Sequence, residues 1–153
     1  MKVCTLLMLI RNDQILLAMK KRGFGKDRWN GVGGKVETGE SIEEAAIRES
    51  QEEILVTPIT FEKVAVNDFV FPDGMTDMQV HTYLCTAWEG EPTETDEMAP
   101  QWFNIGEIPY DNMWQDDIHW FPQVLAGKKL HTRFTFDKDE NLLDVKMHEA
   151  VDL

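Results

Sequence analysis

Positive charge is scarce in this chain: 15 Lys and Arg stand against 28 Asp and Glu in 153 residues, a net charge of −13. A polyanion binder releases counterions from phosphates through a basic face, and a pI near 4.6 leaves no surplus for one. Nucleic acid polymers and anionic membranes are therefore not the expected partners. A small phosphate compound would need its positive charge from elsewhere, most economically from a divalent metal held by carboxylates. Cysteine is nearly absent, with only Cys4 and Cys85, each inside an apolar alternating stretch. They read as small buried thiols and give no sign of an oxidising compartment. Long apolar runs are missing too. Residues 3–10 are apolar, but one Lys precedes them, no small-residue cleavage site follows, and the polar turn 11–14 comes next, so they read as a strand and not a signal peptide. No later stretch approaches the roughly 20 apolar residues of a membrane helix. A cytoplasmic protein is expected.

What the chain does have is apolar material: 42% hydrophobic and 10% aromatic residues suffice for a core despite the charge. At this length residues 1–153 are expected to form one domain. Residues 3–10 and 15–19 are β-type runs around a polar turn, a hairpin pattern. A basic, glycine-containing loop follows at 20–28, a local reversal of sign. Ser41 opens a helix, with Glu44 placed to complete a capping box, and Thr57-Pro58 stops it, giving a helix at about 41–55. Residues 61–71 and 78–88 form a second hairpin through the turn Pro72-Asp73-Gly74. A short strand at 99–105, a helix at 116–125 capped by Gly127, and a closing hairpin of 130–136 with 142–147 complete the pattern. The expected fold is α/β, a mixed sheet covered by two helices.

Between Lys35 and Glu53 lie seven Glu and two basic residues, so this segment supplies −5 of the net charge. Such a stripe is ordinarily a solvated helix face. Spacing changes the reading, because Glu49, Glu52 and Glu53 fall within an arc of about 100° on a single turn. Like charges at i, i+3 and i, i+4 repel, and a hard divalent cation that takes oxygen ligands is the economical compensator. The glycines of Gly31-Val32-Gly33-Gly34 bring backbone close to the helix entrance, where exposed N–H and C=O groups can meet a metal–phosphate ligand.

Gly34, five residues, Glu40, seven residues, then Arg48-Glu49-Ser50-Gln51-Glu52-Glu53 resembles the signature box of the Nudix hydrolases, which act on nucleoside diphosphates linked to another moiety. Two positions depart from the pattern. Ser50 stands where a bulky aliphatic is usual, and Leu55 replaces the glycine after the acidic pair, which touches packing and helix termination but not the carboxylates. Arg48 reads as structural, positioning a carboxylate by a charge-assisted bond. The rest of the chain resembles the MutT-homologue diphosphatases, which remove oxidised purine nucleoside triphosphates from the precursor pool. That likeness rests on 19–25, on 28–36, on Asp96-Glu97-Met98, and on Met113-Trp114-Gln115-Asp116-Asp117 followed by Trp120-Phe121-Pro122.

The resemblance implies a Nudix-type sheet between helices and a set of site residues. Glu49, Glu52, Glu53 and Glu97, with the carbonyl of Gly33, would hold Mg²⁺ or Mn²⁺. The metal would polarise phosphoryl oxygens and activate water, with Glu52 or Glu53 taking its proton. Lys20 would serve the phosphate side. Asn30, Asp116 and Asp117 would read the purine edge, in a pocket lined by Thr5, Phe24, Phe69, Met78 and Trp114. Two adjacent carboxyls in an apolar pocket favour keeping one protonated, so the pair would accept 8-oxoguanine or 2-hydroxyadenine. Taken singly, Trp114, Phe69 and Met78 read as core, Glu97 as an exposed acid, Asp116-Asp117 as a dipole or cap arrangement at a helix start, and His81 and His119 as packing or surface residues. The expected partner is a small purine nucleoside triphosphate, acted on by a monomer. Two other readings stand beside it: a Nudix hydrolase of canonical or methylated nucleotides, dinucleoside polyphosphates or RNA 5′ ends, and a nucleotide-binding module without catalysis. The net charge disfavours RNA, and the complete carboxylate set disfavours the module.

Overall fold

Strands β1 (Lys2–Arg11) and β2 (Gln14–Lys20) are apolar at successive positions because both of their faces are covered. In the computed structural model, which describes residues 1–73 and 75–153, Met8, Ile15 and Leu17 face one core cluster and Leu7, Leu9, Leu16 and Ala18 face another. The chain continues through β3 (Trp29–Asn30), α1 (Ile42–Ile54), β4 (Thr57–Val70), β5 (Met78–Glu89) and β6 (Met98–Asn104). Two short 3₁₀ turns, Ile105–Glu107 and Tyr110–Asn112, lead to α2 (Asp117–Leu125), β7 (Leu130–Phe136) and β8 (Leu142–Glu149). The sheet runs β3-β2-β1-β5-β4-β7-β8, with β6 on the other edge of β2. β1 with β5 and β4 with β7 are parallel, and the remaining pairs are antiparallel. Ala46 and Ile54 of α1 pack on one face and Trp120, Phe121 and Val124 of α2 on the other, the expected mixed sheet between helices.

The expected elements are present with ends shifted by a few residues, and the structure adds β3 and the two 3₁₀ turns. The turn expected at 72–74 includes Gly74, which lies outside the described residues. β1 and β2 pair only at Ile10 with Ile15 and Arg11 with Gln14. Beyond that hairpin end, the vacated edge of β1 is taken by the glycine segment. Thr5 N–H donates to Gly34 O at 2.9 Å, Leu7 and Val32 exchange bonds of 2.7 and 3.0 Å, and Val36 N–H donates to Val3 O at 3.0 Å.

The capping box of α1 forms as expected. Glu44 N–H donates to Ser41 Oγ at 3.0 Å, and Ser41 N–H donates to Glu44 Oε1 at 3.0 Å. Ser50, one of the two departures from the box, is fully buried and spends its hydroxyl on Ala46 O at 2.8 Å, so no polar group is stranded. The other departure leaves its mark on the backbone. Leu55 caps the helix in the left-handed region, at φ 60 and ψ 35, the place a glycine occupies without strain. Its side chain is 55% exposed and gives little burial in return. Leu55→Gly should therefore stabilise the protein by about 1 kcal/mol, read as a higher urea midpoint at unchanged slope.

Candidate active site

Two features meet at one end of the sheet: the acidic helix with its glycine segment, and an aromatic cavity. In α1, Arg48 organises the acids. Its Nε and Nη2 donate to the two oxygens of Glu40 at 2.7 and 3.0 Å, and Nη1 donates to Glu49 Oε1 at 2.8 Å and Glu52 Oε2 at 3.3 Å. A fifth bond, Nη2 to Lys35 O at 3.1 Å, ties the helix to the glycine segment. The guanidinium bond holds the Glu40 carboxyl below its ordinary range.

Glu53 is 2% exposed and accepts from Gly33 N–H at 3.1 Å. Burial pushes its carboxyl up to about 9, helped by the bonded Glu49 carboxyl and opposed by the Gly33 N–H and Lys20. The glycines permit this closeness. A Cβ on Gly33 would lie 1.9 Å from Thr5 O, and one on Gly34 would lie 2.6 Å from the Glu49 carboxyl carbon. Glu52 and Glu97 stand apart: their side chains are 57% and 51% exposed, with Glu52 on Arg48 and Glu97 3.7 Å from Arg22. Among the described residues no three His, Cys, Asp or Glu side chains converge at metal-holding distance, so the carboxylate pair actually brought together is Glu49–Glu53.

The cavity, about 220 Å³, is lined by all nine residues expected to bind substrate, Thr5, Lys20, Phe24, Asn30, Phe69, Met78, Trp114, Asp116 and Asp117, and by Gly33. Ladder register gathers its floor, since Met78 pairs with Lys2 on one side and Phe69 on the other, and Phe69 pairs with Phe134. Phe24, 49% exposed, lies over Trp114 with ring centroids 5.0 Å apart. Asn30 Oδ1 accepts from Gly31 N–H at 2.9 Å, and among the described residues no bond uses its amide nitrogen.

Asp116 and Asp117 open α2, yet the cap reading of this pair fails: Asp116 is helical in backbone and its side chain caps nothing. Instead Asp116 Oδ2 accepts from Trp120 Nε1 at 2.8 Å, inside the fold. Asp116 is 1% exposed and Asp117 3%. Asp116 Oδ1 and Asp117 Oδ2 are buried without a protein partner. Burial, then the charge of Asp116, holds Asp117 well above the ordinary carboxyl range, and burial raises Asp116 as well. The pair thus leaves two buried carboxyl oxygens without a protein partner in the lining of the cavity.

Sequence reasoning missed Lys2, Arg28 and Lys35, which with Lys20 make four basic side chains around the cavity. It also missed Val80, two residues along β5 from Met78 and so a neighbour that strand alternation identifies, and Phe71, just past the end of β4. Cys4 and Cys85 are free and buried, as read. His81 is buried with Nε2 on Gln79 and takes no part in the site.

An acidic helix entered through glycines, on a mixed sheet between two helices, defines the class, and a model of the NUDIX domain matches residues 2–124. The chain belongs to the Nudix family. It is 45% identical over 152 residues to the oxidized purine nucleoside triphosphate hydrolase of Danio rerio, covering 99% of this chain and 97% of that one. It is 41% identical to the protein of the same name from Mus musculus, covering 97% and 96%. The crystal structure of a MutT protein from Bacillus halodurans superposes with a TM-score of 0.85 at 28% identity, covering 96% of this chain and 97% of that one.

Proposed function

We propose that this chain hydrolyses oxidised purine nucleoside triphosphates, 8-oxo-dGTP and 2-hydroxy-dATP, to the monophosphate and pyrophosphate, and so cleans the precursor pool for DNA synthesis. The observation that carries the reading is the buried Asp116–Asp117 pair at the base of an aromatic cavity, with two partnerless oxygens and basic side chains around it. The names of the relatives, oxidized purine nucleoside triphosphate hydrolases, point to the same class of substrate.

Glu49 and Glu53 fit a divalent cation: two carboxyls in contact, one of them buried, with a backbone N–H and Lys20 set against Glu53 and the Arg48 guanidinium against Glu49. Glu52 and Glu97, which stand apart on Arg48 and Arg22, would have to turn inward to join them and the Gly33 carbonyl in an all-oxygen set suited to Mg²⁺, with Mn²⁺ as a substitute. When bound, the ion polarises phosphoryl oxygens and makes water a nucleophile near neutral pH. Lys20, beside Glu53 and in the cavity wall, binds the phosphates between the two features. Of the two candidates for the water's proton, Glu53 is favoured, because it sits against the glycine segment while Glu52 is turned to Arg48 and solvent. In the pocket, a protonated Asp117 supplies a donor and Asp116, fixed by Trp120, an acceptor, while the Asn30 amide nitrogen supplies a further donor. Trp114, Phe24, Phe69, Met78 and Thr5 bound the ring. Residues 1–153 act as one domain and as a monomer, and the two free buried thiols support a reducing cytoplasm.

Initial rates with Mg²⁺ on 8-oxo-dGTP, 2-hydroxy-dATP, dGTP and dATP test this. Preference for the oxidised bases by about 10-fold or more in kcat/KM is expected. Equal values would leave a hydrolase of other nucleotides, and binding without turnover would leave the non-catalytic module.

A further inference from the structure

We propose that Glu140, which lies outside the cavity, positions Trp114 through Arg28 and thereby sets how tightly the cavity holds its base. The inference rests on the reading of that cavity as a purine site. Trp114 forms one wall and is held by three neighbours. Phe24 lies 5.0 Å away, Phe136 meets it edge-on at 5.9 Å, and the Arg28 guanidinium sits 4.0 Å over its ring. Arg28 is in turn held by Glu140, Nη2 to Oε1 at 3.3 Å, with both side chains about one third exposed.

Glu140 belongs to the tight turn between β7 and β8, and the local sequence makes that turn stiff. Asp137 Oδ1 accepts from Asp139 N–H at 2.8 Å and Asn141 N–H at 2.9 Å, Asp137 N–H donates to Asn141 O at 2.9 Å, and Glu140 takes the left-handed conformation at φ 64. The turn grips the residue after Trp114 as well: Gln115 Nε2 donates to Asn141 Oδ1 at 3.1 Å, and Leu142 N–H donates to Gln115 Oε1 at 2.8 Å. No residue from 137 to 142 lines the cavity. The turn is thus a strap across the outside of the pocket wall, anchored on either side of Trp114, and Glu140 is the member that reaches the ring through a charge. The carboxylates of α1 that serve the reaction are not connected to it by any bond among the described residues.

Glu140→Ala and the shape-preserving Glu140→Gln test this with three readouts. These are kcat and KM on 8-oxo-dGTP with Mg²⁺, the Kd of 8-oxo-dGMP by calorimetry, and the indole N–H resonance of Trp114 without nucleotide, assigned through Trp114→Phe. Expected for Glu140→Ala are KM and Kd raised about 3- to 10-fold, kcat within about twofold, and a displaced Trp114 resonance with the other indoles unmoved; Glu140→Gln falls between. Unchanged KM and Kd in variants of an enzyme that binds and cleaves 8-oxo-dGTP overturn this inference alone. An unmoved Trp114 resonance overturns it whatever the substrate. A wild-type chain that binds no 8-oxo-dGMP overturns the purine reading and this inference with it. A fall in kcat at constant KM assigns Glu140 to the fold's support of the chemistry and not to Trp114.

Discussion

Glu53→Gln should lower kcat/KM by about 10³-fold or more and leave the fold in place. Glutamine keeps an oxygen for the Gly33 N–H, now 3.1 Å from Glu53 Oε1, and it keeps the shape of a side chain only 2% exposed. What it loses is the ionisable carboxyl, which a bound cation would hold in the charged, proton-accepting form that the proposed chemistry needs. Stability should move the other way. In the wild type the carboxyl sits at about 9, far above the roughly 4.3 of a free glutamate. The folded state therefore binds this proton more tightly, and its contribution to stability is fully present below about pH 4 and is lost as pH rises toward 9. Without metal, thermal melts at pH 6 and pH 9 should show a smaller loss for Glu53→Gln than for the wild type. Activity within about 10-fold of the wild type would remove Glu53 from the chemistry.

Asp117→Asn separates recognition from chemistry in the same way. Asp117 is held well above the carboxyl range by burial and by Asp116, so its contribution to stability is also present at low pH and is lost as pH rises through that raised value. Asparagine cannot ionise, and at pH 8 the variant should be more stable by on the order of 1–3 kcal/mol, with a flatter profile. Its kcat/KM on 8-oxo-dGTP should fall by about 10²-fold, because a fixed amide loses the freedom to be donor on one base and acceptor on another. The ratio of rates on 8-oxo-dGTP and 2-hydroxy-dATP should depend on pH in the wild type and not in the variant. A flat wild-type ratio, with Asp117→Asn leaving it unchanged, would defeat the shared-proton account. A gain in stability paired with a loss of activity is the signature of a site built at some cost to the fold.

Local physics was legible in the sequence. The capping box, both helices, the hairpins and the continuous apolar runs of β1 and β2 follow from nearest-neighbour chemistry, and the structure reproduces them within a few residues. The cavity's membership was legible through family likeness, which single residues do not carry: Phe69 or Met78 read alone is core. Long-range geometry was not legible. Nothing near Asp116 in sequence announces that Trp120 Nε1 claims its oxygen instead of the helix end, because i, i+4 contact competes there with capping. Nor does the box state that Arg48 collects Glu40, Glu49 and Glu52 and turns Glu52 outward, away from Glu53. Leu55 shows the reverse case: the sequence flags a missing glycine, and the backbone adopts the left-handed angle regardless because the end of α1 and the start of β4 fix it.

β1 gives the site a fixed measure. Its side chains Lys2, Cys4 and Leu6 border the aromatic cavity, and its edge is laced to the glycine segment whose Gly33 N–H touches Glu53. Any slip of this strand carries the cavity floor and the glycine segment beside Glu53 together, so their separation survives thermal motion that would scatter a site built on two loops. On the proposed function the molecule would work as a caliper, with its jaws mounted on one rail. A ligand would be judged by its span as well as by its ring, and a nucleotide whose base filled the cavity would bring its phosphates to the carboxylates only where the distance between them fits the gauge.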